Sequence, residues 1–97
     1  MPVFDLAEVE EAFRRFWYTG MIREDWNAWA DLFTADVVYL ERVLGTMHGR
    51  EAVRQWIVPL MEQYGEIYGV YNWHMADPSG RVVFHMINRR DHPGGGG

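Results

Sequence analysis

The 97-residue sequence contains no cysteine and no lysine, and it has no apolar run long enough to cross a bilayer. The absence of cysteine excludes a disulfide framework and a thiolate metal site. The net charge of -5 argues against a nucleic-acid surface, because phosphate binding requires a basic patch. No charged and then apolar leader opens the chain, so we expect a cytoplasmic protein that binds neither nucleic acid nor membrane. Arginine supplies all nine basic residues, which favours a GC-rich bacterial source.

Large apolar side chains are abundant instead. The chain is 48% hydrophobic and 15% aromatic, with five Trp and six Met, so it is a folded globular protein. A chain of this size builds one core, and we predict a single domain over residues 1–93, followed by a flexible glycine tail at 94–97. So many rings and thioethers suit the wall of a pocket or an oligomer interface as well as a core.

Three segments have apolar residues at helical spacing. The first helix is predicted to begin at the N-cap Asp5 and to end at Gly20. The second runs through residues 24–33, and the third runs from Gly49 to Gly65. These helices alternate with shorter apolar segments that have the period of strands.

The strands are predicted over residues 37–43, 67–77 and 81–90, with a brief returning strand at Met47 and His48. The last two strands form a hairpin around the sequence DPSG, which favours a type I turn. If Asp77 pairs with Gly80, one face of this hairpin consists of Tyr71, Trp73, Met75, Val82, Phe84 and Met86, with Met75 opposite Val82, Trp73 opposite Phe84 and Tyr71 opposite Met86. The opposite face then consists of Val70, Asn72, His74, Val83, His85 and Ile87, a mixed surface that suits a subunit interface.

The stretch WADLFTADVVYLERVLGTMHGREAVRQWI resembles the SnoaL-like family of the nuclear transport factor 2-like superfamily. The similarity lies in a helix that ends in Leu-Phe, an aspartate that opens the first strand, a glycine after it, and Gly-Arg-Glu at the start of a helix: Leu32, Phe33, Asp36, Gly45, Gly49, Arg50 and Glu51. The resemblance implies an α+β, cystatin-like cone, with three N-terminal helices packed on a curved antiparallel sheet and a conical pocket between them. It also implies a homodimer through the outer sheet face. Relatives usually continue with two more strands, so we expect the cone without its last strands.

What the resemblance implies about activity is broad. The superfamily includes isomerases, polyketide cyclases, dehydratases and epoxide hydrolases as well as non-catalytic binding and dimerisation modules, so the fold alone assigns no reaction. Ketosteroid isomerases place a catalytic aspartate five residues after the aspartate that opens the first strand, and Glu41 occupies that position here. Their oxyanion-donating tyrosine corresponds to Phe13, which has no hydroxyl group, so steroid isomerase activity is not expected.

Glu41, Tyr39 and His74 are the candidate catalytic residues. Glu41 has the strand parity of Tyr39, so it lies in an apolar pocket, or it pairs with Arg42, Arg50 or another arginine, or it lies at the pocket rim. In a pocket, a carboxylate that has lost hydration acts as general base or general acid. His74 falls on the mixed face of the hairpin unless a bulge reverses the parity, and it is either an assisting proton donor or an interface residue. No metal and no cofactor are expected.

The candidate ligand-binding residues are aromatic or thioether side chains: Tyr18, Trp26, Trp56, Met61, Trp73, Phe84 and Met86. Each of them also suits core packing, but together they favour a flat apolar ligand such as a polyketide-, terpenoid- or steroid-like molecule. We therefore expect a small-molecule-binding domain. It either transfers protons without a cofactor, in an isomerase, cyclase or dehydratase reaction, or it serves as a non-catalytic binding or dimerisation module. A reduced or engineered scaffold is a further alternative.

Overall fold

The computed structural model describes residues 3–64 and 68–89. In chain order, the described elements are α1 (Leu6–Trp17), a π-helical turn (Tyr18–Ile22), α2 (Trp26–Asp31), β1 (Val38–Glu41), β2 (Gly45–His48), α3 (Arg50–Tyr64), β3 (Tyr68–Ala76) and β4 (Val82–Arg89). Helices and antiparallel strands thus share one chain, which confirms the predicted α+β class. The described strands form two separate two-stranded sheets, β1–β2 and β3–β4, where one continuous sheet was expected. Gly65 and the tail at 94–97 lie outside the described residues.

Helix α1 begins where the sequence predicted, but the chain does not leave the helix at Gly20. The carboxylate of Asp5 accepts the N–H of Ala7 at 3.0 Å, which caps the first turn. After Trp17 the backbone widens into the π-helical turn and continues to Ile22. Gly20 lies within this turn against the indole of Trp29, where an added Cβ would be 2.6 Å from Cδ1. The glycine is therefore needed for close packing and does not end the helix.

The core lies between α2 and α3. Trp26 and Trp29 of α2 are buried against Val53 and Ile57 of α3. Half-buried side chains surround this cluster, among them Phe16, Phe33, Tyr39, Met47, Trp56 and Met61. Arg54 of α3 links the two helices. Its guanidinium donates to the backbone carbonyl and to Oδ1 of Asn27, both at 2.9 Å, and pairs with the carboxylate of Asp31.

The β1–β2 hairpin is longer on its second strand than predicted and shorter on its first. Its register runs from Val38 opposite His48 to Glu41 opposite Gly45. Residues 42–44 form the connecting turn, so the first strand ends at Glu41 and not at residue 43. Tyr39 packs towards the core while Leu40 is exposed, as alternation along a strand requires.

The predicted register of the β3–β4 hairpin is wrong next to its turn. The N–H of Asp77 donates to the carbonyl of Arg81, and Ala76 lies opposite Val82. Gly80 has a φ of 94°, so it adds a left-handed residue after the type I turn and the loop contains three residues instead of two. Met75 consequently lies opposite Val83 and not Val82.

A bulge at Asn72 then reverses the faces of β3. The ladder passes from Tyr71 opposite Met86 to Trp73 opposite His85 and skips Asn72. The first of these pairs is as predicted, but between the bulge and the turn the parity is inverted. His74 therefore lies opposite Phe84 on the inner side, while Trp73 and His85 stack on the outer face (Val70, Trp73, Met75, Val83, His85 and Ile87) with ring centroids 6.2 Å apart.

Candidate functional site

An open and mainly apolar groove of about 620 Å³ lies between α1 and β4. Its volume is in the range of small-molecule sites. Among the described residues that line it, Glu8 is the only charged one, and the others are Phe4, Val9, Ala12, Phe13, Phe16, Leu32, Phe33, Gly80, Val82 and Phe84.

The groove follows from the periods of the two elements that form it. Val9, Phe13 and Phe16 recur at spacings of four and three, which places them on one side of α1. Val82 and Phe84 alternate on the inner side of β4. The Phe84 ring meets those of Phe13 and Phe16 at centroid distances of 5.4 and 5.7 Å. These rings form a continuous wall against which a flat molecule can stack.

A chain of three polar side chains lies on the other side of the Phe13 ring. The imidazole of His74 stacks on Phe13 with ring centroids 4.4 Å apart. Its Nε2 lies 2.7 Å from Oε2 of Glu10, and its Nδ1 lies 2.9 Å from the hydroxyl of Tyr71. Of the candidate catalytic residues, His74 therefore lies in a polar network, but with partners other than those the sequence suggested.

Glu41 is not among the described residues that line the groove. Its Oε2 accepts the N–H groups of Val43 and Leu44, both at 2.7 Å, and the residue is half-buried at the end of β1. The turn between β1 and β2 leaves these two N–H groups without backbone partners, and a carboxylate one residue before the turn reaches both. The geometry gives Glu41 a turn-capping role, and its catalytic role stays a prediction.

Tyr39 lies among aromatic rings of the core. Its ring centroid is 5.5 Å from that of Trp56, 5.8 Å from Phe33 and 6.2 Å from Trp29. Burial raises the pKa of Tyr39 above its ordinary value of 10.0, and the negative charge of Glu41 raises this pKa further. The phenol of Tyr39 therefore keeps its proton to a higher pH than an exposed tyrosine does.

The candidate ligand-binding residues do not share one surface. Phe84 lines the groove, whereas Tyr18 is 55% exposed on the π-helical turn and Trp73 lies on the outer face of the hairpin. Trp26 is buried in the core, and Trp56 and Met61 pack against it. Trp26 and Met61 also line a smaller and more polar depression of about 420 Å³ with Glu24, Asp25, Asn27, Val58 and Glu62. Met86 packs beside Gly69, where its Cε lies 3.0 Å from the position of an added Cβ.

Sequence reasoning missed two kinds of residue. Val9 and Phe16 were not among the candidate ligand-binding residues, although both line the groove. Glu10 and Tyr71 had no visible link to His74, because Glu10 is 64 positions away and a regular strand would turn Tyr71 to the other face. The helical spacing of Val9, Phe13 and Phe16 indicated a shared face of α1, whereas no local pattern indicated the chain of Glu10, His74 and Tyr71.

Within residues 3–64 and 68–89, no group of three or more His, Asp or Glu side chains is placed to hold a metal ion. In the same part of the chain, no helix has both the length and the apolarity that crossing a membrane requires. The family model described as "SnoaL-like domain" matches residues 9–97. No curated protein and no solved structure matches the chain.

Proposed function

The chain belongs to the family of SnoaL-like domains, and from that premise we propose that it binds a small, flat, apolar organic molecule in the groove between α1 and β4. Membership of this family suggests small-molecule binding, or chemistry of the isomerase and cyclase type, in general terms. The observation that supports the groove as the site is its composition, since ten of the eleven described residues that line it are uncharged and the remaining one is Glu8.

A polyketide-, terpenoid- or steroid-like molecule matches this groove best. Its ring system stacks on Phe13, Phe16 and Phe84, and its aliphatic edges contact Val9 and Val82. Burial of about 300 Å² of apolar ligand surface is worth roughly 7.5 kcal/mol at about 25 cal/mol per Å², which corresponds to low-micromolar affinity at best before ordering costs.

Proton-transfer chemistry without a cofactor is the finer part of the proposal. An isomerase, cyclase or dehydratase reaction on such a ligand needs a base and a donor. Glu41 and Tyr39, the base and donor proposed from the sequence, are not among the described residues that line the groove, so this part of the proposal rests on the family match. His74, the third candidate, lies in the polar network with Glu10 and Tyr71. A cytoplasmic location stays a prediction from the sequence.

Filling the groove tests the binding proposal. Ala12 lines the groove, whereas Ala7 is exposed on the same helix and does not line it, so Ala12→Trp and Ala7→Trp are a matched pair. We expect wild type and Ala7→Trp to bind the flat neutral dye N-phenyl-1-naphthylamine equally in a fluorescence titration. We expect Ala12→Trp to weaken that binding at least tenfold while its circular dichroism spectrum is unchanged. Equal dye binding by Ala12→Trp and wild type would show that the groove is not the site.

A second candidate function, dimerisation, is favoured by the outer face of the β3–β4 hairpin. Its exposed apolar residues Val70, Trp73, Met75, Val83 and Ile87 are between 38% and 65% accessible. A contiguous apolar surface of this kind marks an interaction site more often than a free surface. We propose a homodimer through this face, with His85 and Trp73 stacked in it. Analytical ultracentrifugation should detect a dimer of the wild type that Val83→Asp dissociates. The protein concentration is about 100 µM, on the order of the Kd of a weak dimer. A wild type that is monomeric at this concentration would contradict the proposed dimer.

A further inference from the structure

The side chains of Glu10, His74 and Tyr71 form a hydrogen-bonded chain that the family match does not assign and that lies outside the groove. We propose that this chain is a proton relay in which the Tyr71 hydroxyl is the catalytic group and His74 is the base behind it. Its substrate class is a planar carbonyl compound with an acidic C–H next to the carbonyl group.

The bulge at Asn72 creates the relay. Residues three apart on a regular strand point to opposite faces, so Tyr71 and His74 would not meet there. Because the ladder skips Asn72, both side chains lie on the inner side, and the phenol oxygen reaches Nδ1 of His74 at 2.9 Å. Glu10 lies one helical turn before Phe13 and Arg14 on α1, and its carboxylate reaches Nε2 of His74 at 2.7 Å.

With Glu10 ionised and His74 neutral, the chemistry of the three groups fixes the donor and the acceptor of each hydrogen bond. An ionised carboxylate only accepts, so Nε2 of His74 bears the proton that it donates to Glu10. In the neutral imidazole Nδ1 is then the acceptor, and the Tyr71 hydroxyl donates to it. A carboxylate that orients an imidazole, which in turn accepts from a hydroxyl, is the arrangement by which proteins activate a weakly acidic hydroxyl group.

The two ends of the relay differ in their access to solvent. The side chains of His74 and Glu10 are 20% and 29% exposed, and the Phe13 ring covers one face of the imidazole. Tyr71 is 47% exposed, and its ring lies nearly perpendicular to the indole of Trp17 with centroids 5.6 Å apart. The base is thus sheltered, while a flat molecule that rests on Trp17 can reach the hydroxyl.

The proposed step moves two protons and needs no co-reactant. The Tyr71 oxygen takes the proton from the substrate C–H as its own proton moves to Nδ1 of His74. The C–H bond breaks, its electron pair stays on the substrate as an enolate, and the imidazolium is stabilised by Glu10. Return of the protons along the same path to another atom of the enolate completes an isomerisation and restores the relay.

Reaction with 4-toluenesulfonyl fluoride tests the relay without knowledge of the natural substrate. Sulfonylation forms an O–S bond, releases fluoride and requires the phenol to lose its proton, so a base at the hydroxyl accelerates it. We expect mass spectrometry to show Tyr71 labelled at least tenfold faster than Tyr18, which is 55% exposed and outside the relay. His74→Gln and Glu10→Gln should each slow the labelling of Tyr71 about tenfold and leave the labelling of Tyr18 unchanged. His74→Gln removes the imidazole base. In Glu10→Gln the amide can donate to Nε2 of His74, so Nδ1 becomes a donor and no longer accepts from Tyr71. Equal labelling of Tyr71 in wild type and His74→Gln overturns the relay.

Exchange of the α-protons of 2-tetralone in D₂O, followed by NMR, tests the catalytic part. We expect the wild type to accelerate exchange over buffer and Tyr71→Phe to lower the enzymatic rate about 100-fold, the low end of what positioned proton transfer contributes. Tyr64→Phe, at the exposed end of α3, is the matched control and should keep the wild-type rate. Tyr71→Phe removes only a hydroxyl group from an exposed ring, so folding is expected to be retained. The absence of acceleration by wild type, or an equal rate in Tyr71→Phe, overturns the assignment of Tyr71 as a catalytic group.

Discussion

Replacing Glu41 with alanine tests whether this carboxylate stabilises a turn or is free for chemistry. Its Oε2 accepts two N–H groups at 2.7 Å, from Val43 and Leu44. Bonds from N–H groups to a carboxylate are stronger than those to a neutral acceptor. In Glu41→Ala both N–H groups lose their partner, and Gly45, with its φ of 96°, is left to close the turn alone.

The expected loss follows from the two hydrogen bonds. Each net hydrogen bond is worth about 1 kcal/mol, and water can reach this turn, so we expect Glu41→Ala to cost about 1–2 kcal/mol. For a domain of this size, that corresponds to a decrease in Tm of roughly 5–10 °C. Glu41→Gln keeps an acceptor oxygen and loses only the charge, so it should cost about 0.5 kcal/mol.

Thermal and urea unfolding of the two variants and of Glu11→Ala measures this difference. Glu11 is the control, because it makes only an exposed ion pair with Arg14 at 3.2 Å and its loss should change the free energy of unfolding by less than about 0.5 kcal/mol. A Tm of Glu41→Ala equal to that of wild type would refute the turn-capping argument. Glu41→Gln that unfolds like wild type but no longer turns over a substrate would restore the catalytic interpretation.

Three further predictions concern the interior and the bulge. Because the folded-state pKa of Tyr39 is raised above its unfolded value, the stability that its protonated form contributes is present below pH 10 and is lost as pH rises further. The free energy of unfolding should therefore fall more steeply with alkaline pH in wild type than in Tyr39→Phe. Parallel curves for the two proteins would contradict this. Gly20→Ala places a Cβ 2.6 Å from Cδ1 of Trp29 and should destabilise the protein by about 1–3 kcal/mol in urea unfolding, whereas a change below about 0.5 kcal/mol would argue against the packing described. Insertion of one residue between His85 and Met86 should give Asn72 a partner in the ladder, restore strict alternation along β3, place Tyr71 and His74 on opposite faces and abolish the selective sulfonylation of Tyr71; retention of that selectivity would show that the bulge does not create the relay.

Sequence reasoning succeeded where the cause is local. Asp5 caps the first helix because its side chain and the first free N–H groups are neighbours in the chain. The three helices, the hairpin around DPSG and the family resemblance follow from periodicity and motif, and the α+β class and the family were both confirmed. The register was missed by one residue, because DPSG alone does not tell whether its glycine ends the turn or extends the loop by one left-handed residue.

The sequence by itself therefore determined which segments are helices or strands and to which family the chain belongs. The tertiary structure alone decided which side chains meet. Whether Trp73 or His74 faces inward depends on the bulge at Asn72, and a bulge is selected by packing of the whole hairpin on α1. The groove and the contact between Glu10 and His74 both join α1 to a strand of the β3–β4 hairpin. These elements are far apart in the chain, so only the folded structure brings their faces together.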